Sequence, residues 1–504
     1  MRCGMRAWPA SLALAVVVAA LVSAGPSRTD ATPSTASTTD VEVHTPRGGE
    51  PQIAVNPTDA RNLVMGENVD GISYSRDGGA TWKHVSLPNL GDNALAVRPD
   101  GTFLFTSISG TVWASVDGGE TWTDVGNWVG AVAEIGYSLF PWGVGYPLSV
   151  GGGDVIREVS CNAPGIAGLG PVNTDVPRNG PGPQAIGCDR PWLVTDPNTG
   201  RAYLSFKVHQ DPSGGTGGSS LPWELAALAC LGNATTPVPA FQCGRQYVAA
   251  SGDGGRTWTT FKPFDSKEYP AAVTTAWNGG PAASFGRLAT AYVATGDDCS
   301  PCIVFETSAN DGATWDRHIV APVRFPSSSD PLCAVVACGD ASLNTSFSFE
   351  PYTAADPSRP GRYAVMVFDA SQTHLLVYVT EDWGETWRSV TLAEPGAGVR
   401  RWVPWIEYGP TGALGVVWRT SYADDSFDVW AAVAPNGDSE FAAPVRLSSA
   451  RSPGPVAPGG DDASDVVLTS NTLYAAWGDQ RGGPADVAWF GSYSDRVGSY
   501  RFAP

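Results

Sequence analysis

Short apolar runs broken by turn-forming residues set the character of this chain. Tyr203-Leu204-Ser205-Phe206 and Tyr363-Ala364-Val365-Met366-Val367-Phe368 are typical, aromatic and β-branched positions of the kind that lie in a sheet. Most of these runs lead into one eight-residue pattern. It reads Ser75-Arg76-Asp77-Gly78-Gly79-Ala80-Thr81-Trp82, then Ser115-Val116-Asp117-Gly118-Gly119-Glu120-Thr121-Trp122, then Ser251-Gly252-Asp253-Gly254-Gly255-Arg256-Thr257-Trp258. Two looser copies follow, Ser308-Ala309-Asn310-Asp311-Gly312-Ala313-Thr314-Trp315 and Thr380-Glu381-Asp382-Trp383-Gly384-Glu385-Thr386-Trp387. Each member has a physical task. The Asp or Asn accepts hydrogen bonds from backbone N–H groups just ahead, Gly takes the positive-φ position, and Trp returns the chain to the core. The pattern predicts a hairpin clasp between antiparallel strands.

A second repeat marks strand beginnings. Glu50-Pro51-Gln52-Ile53-Ala54-Val55-Asn56-Pro57, Arg190-Pro191-Trp192-Leu193-Val194-Thr195-Asp196-Pro197 and Glu350-Pro351-Tyr352-Thr353-Ala354-Ala355-Asp356-Pro357 share it, with Arg401-Trp402-Val403-Pro404-Trp405 as a degenerate fourth. The C-terminal part also matches itself, Val417-Trp418 with Asp428-Val429-Trp430 paralleling Ala476-Trp477 with Asp486-Val487-Ala488.

The clasp resembles the Asp-box, or bacterial neuraminidase repeat, of the sialidase-like β-propellers. That resemblance implies an all-β chain, a single β-propeller of four-stranded antiparallel blades over residues 45–504, whose last blades lack the box. Strand starts near 50, 92, 190, 286, 350, 403 and 465 predict seven blades, or six if 92–187 is irregular. The stretches 125–187 and 208–246 exceed blade length and are expected to be ordered loops. The same box occurs in propellers of xyloglucan hydrolases, sortilin-like receptors and photosystem assembly factors, so it speaks for fold and not for activity.

Composition narrows the partners. Fifty Asp and Glu against 31 Lys and Arg give a net charge of −19, which removes the electrostatic term that nucleic acid or an anionic membrane requires. Gly (59) and Pro (41) together with only 16% charged residues argue against long helices, coiled coil and disorder. At the N-terminus, Arg2 and Arg6 precede an apolar run from Leu12 to Val22 that ends in Val22-Ser23-Ala24, the form of a signal peptide over 1–24. No stretch approaches the ~20 apolar residues of a membrane span. A Ser/Thr/Pro-rich flexible leader is expected over 25–44, and the protein is expected to be secreted and monomeric.

Of nine cysteines, Cys3 would leave with the signal peptide. The others, Cys161, Cys188, Cys230, Cys243, Cys299, Cys302, Cys333 and Cys338, suit disulfides in an oxidising compartment. Their pairing is one of roughly a hundred, and neighbour pairing would staple local loops. The alternative is a zinc site from Cys299, Cys302, Cys333 and Cys338.

In a four-stranded blade whose clasp fills the third turn, the starts of first strands and the second-to-third-strand loops share the opposite face. That entry face is where a site is expected. The register puts Glu50, Asp92, Asp189, Arg190, Arg287, Glu350, Arg400 and Arg401 at strand entries. The loops supply Lys207, His209, Asp369, Arg419, Asp424, Asp425, Asp479 and Arg481. Guanidinium groups recognise carboxylate or sulfate in bidentate fashion, and paired carboxylates serve as acid and base around a glycosidic bond. Glu350 with Glu50 or Asp189 is the candidate catalytic set. Arg190, Arg401, Arg287 and Arg481 are candidates for orienting substrate. Trp192 and Tyr352, and near them Trp402, Trp405 and Tyr408, could stack on pyranose faces.

True sialidases open their first blade with Arg-Ile-Pro, whose Arg holds the sialic acid carboxylate. The matching place here is Glu50-Pro51-Gln52, and no Arg-Ile-Pro occurs in the chain. A carboxylate at that place repels a carboxylated sugar, so a neutral or differently charged glycan fits better. Two readings follow: a secreted sialidase-like propeller acting on or binding extracellular carbohydrate, a glycoside hydrolase if catalytic, or a non-catalytic propeller binding a protein or polymer. Serine-hydrolase, zincin and phosphate-loop motifs are absent from the sequence, and the five His form no close pair. No cofactor is expected. The Asp-rich turns Gly459-Gly460-Asp461-Asp462 and Asp297-Asp298 could hold a structural Ca²⁺.

Overall fold

The computed structural model describes residues 39–44, 49–90, 93–107, 110–128, 185–211, 245–259, 262–263, 280–296, 299–322, 351–368, 374–392, 400–424, 426–438, 440–453, 464–481 and 494–503. They form strands, turns and loops, and among them no helix is long and apolar enough to cross a membrane.

The first strand, β1 (Thr39–His44), is claimed by the last sheet. Blade 1 comprises β2 (Gln52–Val55), β3 (Leu63–Gly66), β4 (Val69–Ser75) and β5 (Lys83–Leu90). Blade 2 is β6 (Asn93–Val97), β7 (Phe103–Ser107), β8 (Thr111–Ser115) and β9 (Thr123–Asn127). Blade 3 is β10 (Ala185–Thr195), β11 (Ala202–Asp211), β12 (Arg245–Ser251) and β13 (Lys262–Pro263). In blade 4, β14 (Ala282–Ser284), β15 (Arg287–Gly296), β16 (Cys299–Ser308) and β17 (Asp316–Pro322) follow. Blade 5 holds β18 (Tyr352–Ala355), β19 (Tyr363–Phe368), β20 (Leu375–Thr380) and β21 (Arg388–Thr391). Blade 6 holds β22 (Arg400–Tyr408), β23 (Leu414–Ser421), β24 (Phe427–Ala434) and β25 (Val445–Arg446). Blade 7 runs β26 (Ser464–Leu468), β27 (Thr472–Asp479), β28 (Ser494–Arg501) and then β1 as its outer strand.

Every ladder is antiparallel, and the first strands β2, β6, β10, β14, β18, β22 and β26 touch in sequence and return to β2. The chain is therefore a seven-bladed β-propeller, and the six-blade alternative falls. Residues 39–44, placed with the leader by their composition, supply the closing strand, with Val41 opposite Val497. The expected long loops fall largely on 129–184 and 212–244, outside the described residues.

Inner strands are apolar on both faces because each blade is packed between two neighbours. Accordingly β19, β23 and β27 are buried throughout, whereas the outer β9 and β21 are mostly exposed. The cores lie between blades. Ile406, Tyr408 and Val416 of blade 6 pack with Tyr352 and Met366 of blade 5, while Val417 and Val429 pack with Val466 and Trp477 of blade 7.

All five clasps join third to fourth strands, as the pattern predicts. In the first, Thr81 N and Oγ1 donate to Asp77 at 2.9 and 2.6 Å, Gly79 N donates to Ser75 Oγ at 2.9 Å, and Trp82 Nε1 donates to Gly79 O at 3.0 Å. The looser copies keep the same backbone without the first glycine: Asp311 has φ 58° and Trp383 φ 66°. Asp311 is held there by Arg201 at 2.6 Å, and Trp383 lies under Arg287 at 4.7 Å.

Candidate functional site

The entry face is read from its inner strands outward. At the seam of blades 1 and 2, Asn68 Nδ2 donates to Glu50 Oε2 at 2.5 Å, and Asn93 Nδ2 donates to Asn68 Oδ1 at 2.7 Å and to Glu50 O at 3.1 Å. Gln52 stitches the two strands below them, donating to Asn93 O at 3.0 Å and accepting from Leu95 N at 3.1 Å. Asp465 has the corresponding task in blade 7, accepting from Ile53 N at 2.8 Å. Glu50, Asn68 and Asn93 are all buried.

Blade 6 brings two arginines to the same end. Arg401 and Arg419 are buried, at 2% and 0% exposure, and Arg419 Nε donates to Ser464 Oγ at 3.1 Å across the seam with blade 7. Burial pulls the Arg401 guanidinium below its usual range, with Tyr422 opposing that shift. Two residues on this face carry backbone strain. Glu50 (φ 51°) and Val403 (φ 44°) are left-handed although each precedes a proline, a combination that persists only where the surroundings hold it.

The middle of the ring is closed by aromatic side chains. Trp192 of blade 3 meets Trp405 of blade 6 with centroids 4.8 Å apart, and Tyr352 of blade 5 meets Trp405 at 5.3 Å. Blades 3 and 6 are not neighbours, so the first contact crosses the axis. Both tryptophans follow a β-bulge that contains a proline, between Asp189 and Trp192 and between Trp402 and Trp405. A bulge re-aims the next side chain, and proline fits there because it has no ladder hydrogen to give. These aromatics stand at the entry end of their strands, where Gln52 stands in blade 1. They form the floor of the entry face. On adjacent inner strands, Glu407 of blade 6 and Asp465 of blade 7 are pushed up to about 8 and about 7 by burial, Glu407 also by the nearby Asp465 carboxylate.

The placement of the expected residues is mixed. Glu50 and Arg401 lie on the entry face as expected. Trp192 and Tyr352, expected to offer their faces on the rim, are 9% and 4% exposed and packed on Trp405. Arg481 lies toward the outer edge of blade 7, tied to Asp479 at 2.8 Å and to Asp40 at 2.5 Å. Arg287 is at the opposite end. The first strand of blade 4 is only three residues long, so the turn at Phe285–Gly286 is already the clasp end, and Arg287 opens the second strand paired with Asp316 at 3.2 Å. Tyr408 also points away, its hydroxyl donating to Gly437 O at 2.9 Å, and Trp402 is buried with its indole donating to Ser421 Oγ at 3.1 Å. Asp189, Arg190, Lys207, His209 and Arg400 fall on strands, but their side chains lie outside the described residues, as do Asp92, Glu350, Asp369, Asp425 and both Asp-rich turns.

Asn68 and Asn93 had no motif to announce them. Among the described residues no three His, Cys, Asp or Glu side chains come together as a metal set. Cys302 is buried and disulfide-bonded, while the other cysteine side chains lie outside the described residues.

No family model and no curated protein matches the chain. Solved structures do resemble it distantly. A protein of unknown function from Dyadobacter fermentans is 13% identical over 92% of this chain and 98% of its own, with a TM-score of 0.43. The Hadza microbial sialidase Hz136 is 14% identical over 88% of this chain and 75% of its own, with a TM-score of 0.42. YCF48 bound to D1 peptide is 9% identical over 92% and 97%, with a TM-score of 0.38. Likenesses this weak say nothing of what the chain does; the propeller is established by its own strand order.

Proposed function

We propose that this chain is a secreted, sialidase-like propeller that holds an extracellular carbohydrate on its entry face without cleaving it. One observation carries the reading: three acids of the described entry face are already engaged by protein groups. Glu50 is held by Asn68, Asp479 by Arg481, and Asp428 by Arg446 at 2.7 Å. A glycosidase needs one carboxyl group that donates a proton and a second, about 5–9.5 Å away, that acts on the sugar or a water. Carboxylates locked to amides and guanidinium groups suit a fixed binding surface better. Secretion is supported by Arg2, Arg6 and the apolar run that follows, and carbohydrate by the aromatic floor. The protein acts as a monomer and requires no cofactor.

The test is to incubate the purified protein and its Glu350→Gln variant with bacterial, plant and animal glycans, reading retained ligand and released sugar separately. Retention without release is expected. Release by the parent but not the variant would make it a glycoside hydrolase, with Glu350 and either Glu50 or Asp189 as its acid and base. Neither retention nor release would move the reading to a propeller that binds protein.

A further inference from the structure

We propose that the aromatic floor is a subsite for the apolar face of an uncharged pyranose ring, with the Trp192 indole N–H donating to an oxygen of that sugar. The inference deepens the carbohydrate-binding reading and rests on it.

Three observations support it. Trp405 keeps part of its surface exposed although it packs on both Trp192 and Tyr352, so the floor is not wholly covered. Trp192 Nε1 is buried with no hydrogen-bond partner among the described residues. A buried indole N–H ordinarily finds an acceptor, and a ligand oxygen would complete this one. The strained residues Glu50 and Val403 stand at the same end of the inner strands of blades 1 and 6, and Val403 is two residues from Trp405. Such strain gathers at ligand sites, where a fixed geometry is worth its cost.

The ligand class follows from this chemistry. The C–H face of a pyranose packs on an aromatic ring, while its hydroxyls need donors and acceptors at the edge. Trp192 supplies a donor. Trp192, Tyr352 and Trp405 bring no charged group of their own to the floor, which favours an uncharged sugar there.

The full chain should be titrated with cello-, laminari- and xylo-oligosaccharides and with sialyllactose, by calorimetry and by tryptophan emission. One of the neutral oligosaccharides is expected to bind and to change the emission. Trp192→Phe keeps the ring but loses the donor and should weaken binding about fivefold. Trp405→Ala should weaken it about tenfold or more and abolish the emission change, while Trp405→Phe retains most of the affinity. Thermal melts of each variant separate lost binding from lost fold, and the two Phe variants carry the test if Trp405→Ala does not fold. Unchanged affinity in Trp192→Phe and Trp405→Ala would overturn the subsite and leave carbohydrate binding standing. No binding of any probe by the parent would overturn both. Tighter binding of sialyllactose than of the neutral sugars would overturn the uncharged class.

Discussion

Glu407 and Asp465 hold their protons far longer in the fold than they would in an open chain. Their ordinary values are 4.5 and 3.8, and burial lifts them to about 8 and about 7. Between those limits the folded state keeps protons that the unfolded state releases, so folding loses stability as pH rises through the window. Asp465→Asn retains an oxygen for the Ile53 N–H and removes the charge. The variant should show a flatter dependence of unfolding free energy on pH between about pH 4 and pH 8, and at the upper end exceed the parent by up to about 3 kcal/mol. Urea titrations across that range measure it, and parallel curves for the two proteins would disprove the assignment.

The clasp shows how much one turn contributes to a blade. Asp77 is held down at about 2, first by the Thr81 hydroxyl and then by the Thr81 N–H, so its contribution is complete above the ordinary value of 3.8 and fades as pH falls toward 2. Asp77→Ala should cost about 1–2 kcal/mol in chemical unfolding, with Asp77→Asn costing less because an oxygen remains for the Thr81 N–H. These clasps were legible in the sequence because all their bonds fall within eight residues. Entries such as Glu50-Pro51-Gln52 were legible for the same reason, and together the two repeats led to seven blades with six as the alternative, which the strand order then excluded. Arg287 was misplaced because nothing local distinguishes a three-residue first strand from the turn after it. The aromatic floor was not legible as a floor: its contacts join Trp192 to Trp405 across more than two hundred positions, and only the closed ring brings them together. Thr39–His44 alternates as a strand should, but lies beside so many Ser and Thr that composition assigned it to the leader.

The whole molecule depends on that strand. Asp40 accepts from Ser449 N at 3.1 Å and from Arg481 Nη2 at 2.5 Å, joining β1 to blade 6 as well as to blade 7. Its carboxylate is 2% exposed, and Asp40→Ala should destabilise the protein by about 3 kcal/mol, since it removes one partner of a buried charge pair. Deleting residues 1–44 should do more, exposing β28 as an open edge and replacing a single melting transition with aggregation on heating. A truncated chain that melts once, at the parent's temperature, would show that the ring closes without β1.

The closing strand also fixes how the disc can be displayed. Thr39 pairs with Ser499, so the chain enters and leaves the ring at the end that carries the clasps, opposite Glu50, Arg401 and the aromatic floor. A tether attached beyond the end of β28, whether a fused domain, a resin or a cell surface, would leave the floor facing outward, while a tag grafted between second and third strands would cover it.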